Sequence, residues 1–190
     1  VYERVVEEDT LEFGVSGKLY ESNLLMFDDV NESLWSQSMG EAVVGKFTGK
    51  KLKLVNSVLV SYEDVISDFP NARVLSPKTG FDRNYTQNPY ADYMSTEELY
   101  FPVSNRSNQF PAKQMMYIVS TGNGTVAFDW ISLLKKGAAT VKSPDGIVSV
   151  TVKKNIPSAT LNGDVVPAYF SYWFSWYTHF GNTGIVWGIK

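Results

Sequence analysis

Twenty-five consecutive residues, Val165 to Ile189, carry no Asp, Glu, Lys or Arg. A run of that length must lie inside the protein, in a membrane or against a partner, because so much apolar surface is costly in water. The run is aromatic rather than aliphatic. It also holds Ser171, Ser175, Thr178, Asn182 and Thr183, one proline and three glycines. That mixture inserts poorly into a bilayer, so no transmembrane span is expected. The expected form is an aromatic helix over 168–180 buried in the core, with Trp173 and Trp176 as candidates for a peripheral membrane or partner contact.

The rest of the chain narrows the function classes. Hydrophobic residues make up 44% of 190, enough for one domain core or two small halves sharing one. Seventeen basic residues are outnumbered by twenty acidic ones and form no long run, which excludes a nucleic-acid binder. With no cysteine and one histidine, disulfides, thiolate metal sites and imidazole–thiolate zinc are excluded, and no cofactor is expected. Asp28, Asp29 and Asn31 are the nearest approach to a calcium site. They lack the EF-hand order and read as a solvated turn.

The apolar pieces are short and punctuated by turn residues, which predicts a β-rich α+β fold of mostly antiparallel sheets with a few short helices. Residues 1–76 read as a first half: strands over 1–7, 11–15, 24–27, 34–37, 42–44 and 51–55, a helix over 61–69 capped by Ser61 and stopped by Pro70, and a strand over 72–75. Gly14 and Gly17 suggest a bulge. Residues 77–111 form a long Tyr-, Pro- and Asn-rich connecting loop, with one helical turn at 95–99. Residues 112–190 form a second half, with a hairpin at Gly122-Asn123-Gly124, a short helix from Asp129 ended by Gly137, strands about Pro144-Asp145-Gly146, the aromatic helix and a last strand at 184–187. Phe69–Leu75 and Phe180–Val186 share Phe and Asn at matching positions, which suggests two pseudo-repeated halves.

Complete catalytic motifs are missing. Gly40–Lys46 has the glycines and lysine of a phosphate loop, but Phe47 stands where a hydroxyl would hold magnesium. Gly14-Val15-Ser16-Gly17 is one residue short of a nucleophile elbow, and its base would have to be the distant His179. Arg83 set among Tyr85, Tyr90 and Tyr93, with Trp35 and Gln37 as further walls, is the candidate ligand pocket; the arginine would grip an anion. Asn31, Asn84, Asn105 and Asn123 begin Asn-X-Ser/Thr sequons, candidates for N-glycosylation outside the cytoplasm.

Phe13-Gly14-Val15-Ser16-Gly17-Lys18-Leu19-Tyr20, Asn23–Asp28, Ser33–Gln37 with Gly40-Glu41-Ala42, the loop Thr79-Gly80…Arg83…Tyr85…Pro89-Tyr90…Tyr93, Phe101-Pro102-Val103 and Tyr172–Trp176 occur in order. In these blocks the chain resembles the domain of unknown function numbered 3179, from bacteria and archaea. The resemblance implies no established activity. It implies an upstream segment with a Cys-Pro-x-Cys-like motif and a histidine-bearing region, so this chain corresponds to the C-terminal portion. It also implies export. The expectation is therefore a non-catalytic binding or assembly module of the cell envelope, extracellular or at the cell surface, in a homo-oligomer or a larger envelope assembly. The alternative is part of a metal- or thiol-dependent redox enzyme whose key ligands lie upstream.

Overall fold

A computed structural model describes residues 1–88 and 90–188. Pro89 of the tyrosine-rich loop and Ile189 of the charge-free run lie outside the described residues. The chain opens with a small hairpin, β1 (Val5–Val6) against β2 (Asp9–Thr10). An antiparallel meander follows: β3 (Phe13–Tyr20), β4 (Asn23–Asp28), β5 (Leu34–Ser36) and β6 (Glu41–Val44). The pairing of β3 with β4 shifts between Val15 and Leu19, the bulge that Gly17 allows. Residues 1–4 and 51–55 are not full strands. A single bridge, Tyr2 to Leu54, joins them to each other, and another, Lys51 to Glu41, joins 51–55 to β6.

Trp35 centres the first core. It is fully buried with Val6, Leu11, Ala42, Phe47 and Leu52, and Phe13 and Phe47 stand at 5.6 and 5.9 Å from it, ring to ring. An indole N–H in such a place needs a partner. Asp28 supplies it: Oδ2 accepts from Trp35 Nε1 at 2.8 Å, while Oδ1 accepts from the backbone N–H groups of Val30 and Asn31.

Helix α1 (Tyr62–Asp68) forms where Ser61 predicts it, with Asp64 N–H donating to Ser61 Oγ at 3.1 Å. None of its residues is buried. The strand expected at 72–75 does not form: the backbone there has no neighbouring strand, and unpaired strand groups gain nothing over solvent. Both Phe69 and Phe180 stand at a helix end and lead through Asn71 and Asn182 into a turn, after which 72–75 is coil where Ile185–Trp187 is a strand. The single helical turn of the long loop falls at Tyr93–Ser95, just before the expected position.

The second unit comprises β7 (Met115–Ser120), β8 (Thr125–Asp129), α2 (Trp130–Lys136), β9 (Ala138–Ser143), β10 (Gly146–Lys153), β11 (Ile156–Leu161), β12 (Asp164–Val165), β13 (Ala168–Tyr172), α3 (Trp173–Phe180) and β14 (Ile185–Trp187). Asp129 caps α2 by accepting from Ser132 N–H, and Gly137 ends it in the left-handed conformation at φ 74°. One sheet runs β13-β7-β8-β14, with β14 parallel to β8; a second runs β12-β11-β10-β9. Tyr117, Val119, Val126 and Phe128 of the first sheet pack with Val148, Val150 and Ala159 of the second. Met116, Ile118 and Ala127 point to the opposite face, under Trp173 and Trp176 of α3.

The aromatic helix is shorter than the sequence suggests. Residues 168–172 pair antiparallel with β7 over their whole length, Ala168 with Val119 through Tyr172 with Met115. Aromatic side chains suit that sheet edge, so the helix starts only at Trp173. Its first N–H groups donate to the carbonyls of Gln114 and Ala112 at 2.8 and 2.9 Å.

The Asp28 carboxylate is the polar anchor of the first core. Asp28→Ala would leave the indole and two backbone N–H groups unpaired, and we expect a loss of about 3 kcal/mol in urea unfolding at unchanged m-value. A loss under about 0.5 kcal/mol would show that water replaces it.

Candidate functional site

The first meander and the second unit meet along a polar seam. Helix α3 turns its indoles toward β7 and β8, which leaves Ser175, Thr178 and His179 facing the first meander. The turn Glu21-Ser22 between β3 and β4 has positive φ at both residues, 51° and 58°. This is the hairpin conformation usually given to Asn-Gly, and here it is strained. The strain aims Glu21 at the seam. Its carboxylate accepts from Ser104 N–H and Oγ, both at 2.6 Å, and from Thr178 Oγ1 at 2.7 Å. Ser175 Oγ donates to Asn23 Oδ1 at 2.9 Å.

The turn from β5 to β6 completes the seam. Ser38 Oγ lies 2.9 Å from His179 Nε2 and 3.1 Å from Ser36 Oγ. Gly40 must be glycine: φ is 66°, and a Cβ would sit 2.6 Å from the Tyr2 ring. Tyr2 in turn donates its hydroxyl to Gln37 O at 2.8 Å. A cavity of ≈ 280 Å³ opens here, lined by Tyr2, Gln37, Ser38, Tyr169, Phe170 and Ser175 among others. Burial pushes the Tyr2 hydroxyl up to about 12 and the Tyr169 hydroxyl higher still, so both are neutral donors at ordinary pH.

Burial lowers the His179 imidazole below its ordinary value, against a smaller upward pull from Glu21. Burial acts to raise the Glu21 carboxyl, but the hydrogen bonds from Ser104 and Thr178 and the field of His179 outweigh it, and the net direction is downward.

A second concavity lies where the long loop crosses the β3–β4 hairpin. It is a cleft of ≈ 730 Å³, mostly apolar, walled by Tyr90, Tyr93, Met94, Tyr100, Phe101, Tyr172 and Phe174 on one side and Val15, Leu19 and Leu24 on the other. Lys113 ties the loop down. Its ammonium stands 3.6 Å over the Tyr93 ring and donates to the carbonyls of Tyr93 and Thr96.

The six residues expected to share a pocket are distributed over four places. Tyr90 and Tyr93 line the aromatic cleft. Gln37 lines the seam cavity. Trp35 belongs to the first core and is 0% exposed. Arg83 and Tyr85 lie on the exposed loop, where the Tyr85 hydroxyl meets Thr79 Oγ1 at 2.6 Å. Among the described residues no ion pair includes Arg83.

Asp28, Asp29 and Asn31 turn their oxygens to the protein: Asp29 Oδ1 accepts from Glu12 N–H at 2.7 Å, and Asn31 Oδ1 from Ser33. Among the described residues no three acidic or histidine side chains are placed to hold a metal ion. The sequons differ in access. The Asn31 amide nitrogen is buried, that of Asn123 donates to Asp145, that of Asn105 donates to Thr178 O, and Asn84 is exposed.

The peripheral contact expected of Trp173 and Trp176 is corrected. Each is 1% exposed, with its indole N–H bonded to Ser107 O and Thr125 Oγ1 respectively. Neither ring can reach a membrane or a partner from there. Among the described residues no helix is long and apolar enough to cross a membrane. Ser16, the other sequence candidate for His179, is elsewhere: its Oγ donates to Leu25 O at 2.5 Å. Ser38, which does meet His179, and Glu21, whose charge acts on it, sit in short turns far away in sequence. The one available sequence signal was the polar triple Ser175, Thr178, His179 on an otherwise aromatic helix.

A family described as a protein of unknown function (DUF3179) matches residues 1–166. No curated protein and no solved structure matches the chain.

Both titrations at the seam have one sign. The folded state disfavours protonated His179, so its contribution is present above the ordinary histidine value and is lost as pH falls through the folded one. Glu21, also lowered, contributes above the ordinary glutamate value and is lost at more acid pH still. The melting temperature should therefore fall from pH 7 toward pH 5, and His179→Gln should remove that first phase. A variant profile parallel to the wild type over this interval would contradict the assignment.

Proposed function

We propose, for a chain that belongs to the DUF3179 family of proteins of unknown function, that it serves as a binding or assembly module outside the cytoplasm. The observation that carries this reading is the surface of residues 58–101. Val58, Leu59, Tyr62, Ile66, Phe69, Val74, Leu75, Phe81, Tyr85, Tyr90, Met94, Tyr100 and Phe101 are all exposed. Scattered apolar residues are ordinary on any surface, but this many on one segment mark a face that is covered in use. Aromatic and methionine side chains of this kind are enriched at the centres of interfaces.

The segment's anchorage fits that use. Polar ties hold it, Lys113 to the loop and Lys154 to Asp68 at 3.1 Å, and no residue of α1 is buried. A face so attached can adapt to what it holds. The aromatic cleft at its end offers a pocket for an inserted side chain of a second protein. The sequons, with Asn84 exposed on this same segment, support an extracytoplasmic setting and an envelope protein as the partner.

The full chain should be retained by an envelope fraction and elute as a complex in size-exclusion chromatography with light scattering. Leu75→Asp with Phe81→Asp should abolish the complex and leave the melting temperature within about 2 °C, because side chains 92% and 75% exposed contribute little to folding. A monomer that retains nothing, or a complex unaffected by the two substitutions, would refute the reading.

A further inference from the structure

Ser38 is the hydroxyl in contact with the chain's single imidazole. At 2.9 Å from His179 Nε2, its Oγ is within the reach expected of a nucleophile and its base. The turn that presents it is fixed independently of any ligand. Gly40 N–H donates to Ser36 O at 2.9 Å, Met39 N–H to Ser36 Oγ at 3.4 Å, and Tyr2 holds Gln37 O from outside. Ser38 lines the ≈ 280 Å³ cavity while His179 is not among its walls, so a molecule in the cavity meets the hydroxyl.

We propose that Ser38 and His179 form a nucleophile–base dyad acting on esters of short acyl groups that enter this cavity. Ser38 Oγ bonds to the carbonyl carbon as its proton passes to His179 Nε2. The adduct expels the alcohol oxygen, which takes a proton from a water in the cavity, leaving acyl-Ser38, the free alcohol and a hydroxide, while the Ser38 proton stays on Nε2. The hydroxide adds to the acyl carbon, and the adduct releases the carboxylic acid as Ser38 Oγ takes back the proton held on Nε2. The balance is ester plus water to acid plus alcohol.

Gln37, exposed, lines the same cavity. Burial keeps the imidazole in the neutral form that accepts a proton. Glu21 does not complete a triad, since its oxygens are held by Ser104 and Thr178. A cavity of ≈ 280 Å³ has room for a short acyl group. This inference goes beyond the binding role and does not rest on it.

The test is labelling of the full chain with a fluorophosphonate probe at neutral pH, mapped by peptide mass spectrometry. The expected result is an adduct on Ser38 that is absent in concentrated urea and in Ser38→Ala. His179→Asn should slow it by about 100-fold or more, and the wild type should release p-nitrophenol from p-nitrophenyl acetate. No Ser38 adduct on the folded wild-type chain would overturn the proposal, as would an adduct that forms equally fast in urea or in His179→Asn. If His179→Asn does not fold, the comparison of native with urea-treated wild type decides.

Discussion

Strands β7 and β8 have apolar side chains on both faces, and hiding both requires two covering layers. The meander β9–β12 covers one face through Val148, Val150 and Ala159, and α3 covers the other through Trp173 and Trp176. Once α3 is committed in this way, its remaining stripe can only face outward. Ser175, Thr178 and His179 occupy that stripe, so the first meander meets the second unit through hydroxyls, an imidazole and a carboxylate. The seam and its cavity are thus a consequence of how the central sheet is covered.

A seam of this kind is selective in a way an apolar one is not. Each half-buried polar group must find a matching partner, and a small shift leaves it unpaired. Glu21 is held in a strained turn to receive Ser104 and Thr178, and Gly40 leaves room for the Tyr2 ring beside Ser38. The 58–101 segment lies at the other extreme, with apolar side chains in water and a few polar ties. The proposed binding surface and the proposed reactive pair therefore occupy regions of opposite mechanical character, one adaptable and one fixed.

Local signals were readable where local chemistry decides. Ser61 and Asp129 cap helices, Gly137 ends one, and Gly122-Asn123-Gly124 turns β7 into β8. Strands β4, β5 and β6 followed from short apolar runs, and the β-rich α+β class from the absence of long helical periodicity. Reading failed where partners decide. Ala168–Tyr172 fits a helix or a strand equally well, and only its position beside β7 settles it. Strand β11, where the sequence reading predicts no element, pairs along its whole length with β10. Leu75 has strand chemistry but no neighbour. Ser38 and His179 are 141 residues apart, and no spacing rule joins them.

The central claim is that the Glu21 carboxylate and the α3 hydroxyl of Thr178 join the two units across the seam. A double-mutant cycle of Glu21→Gln and Thr178→Val, read by urea unfolding, measures that contact directly. The account predicts a coupling of about 1 kcal/mol or more. Additivity within about 0.3 kcal/mol would contradict it, because the two side chains would then not be in contact.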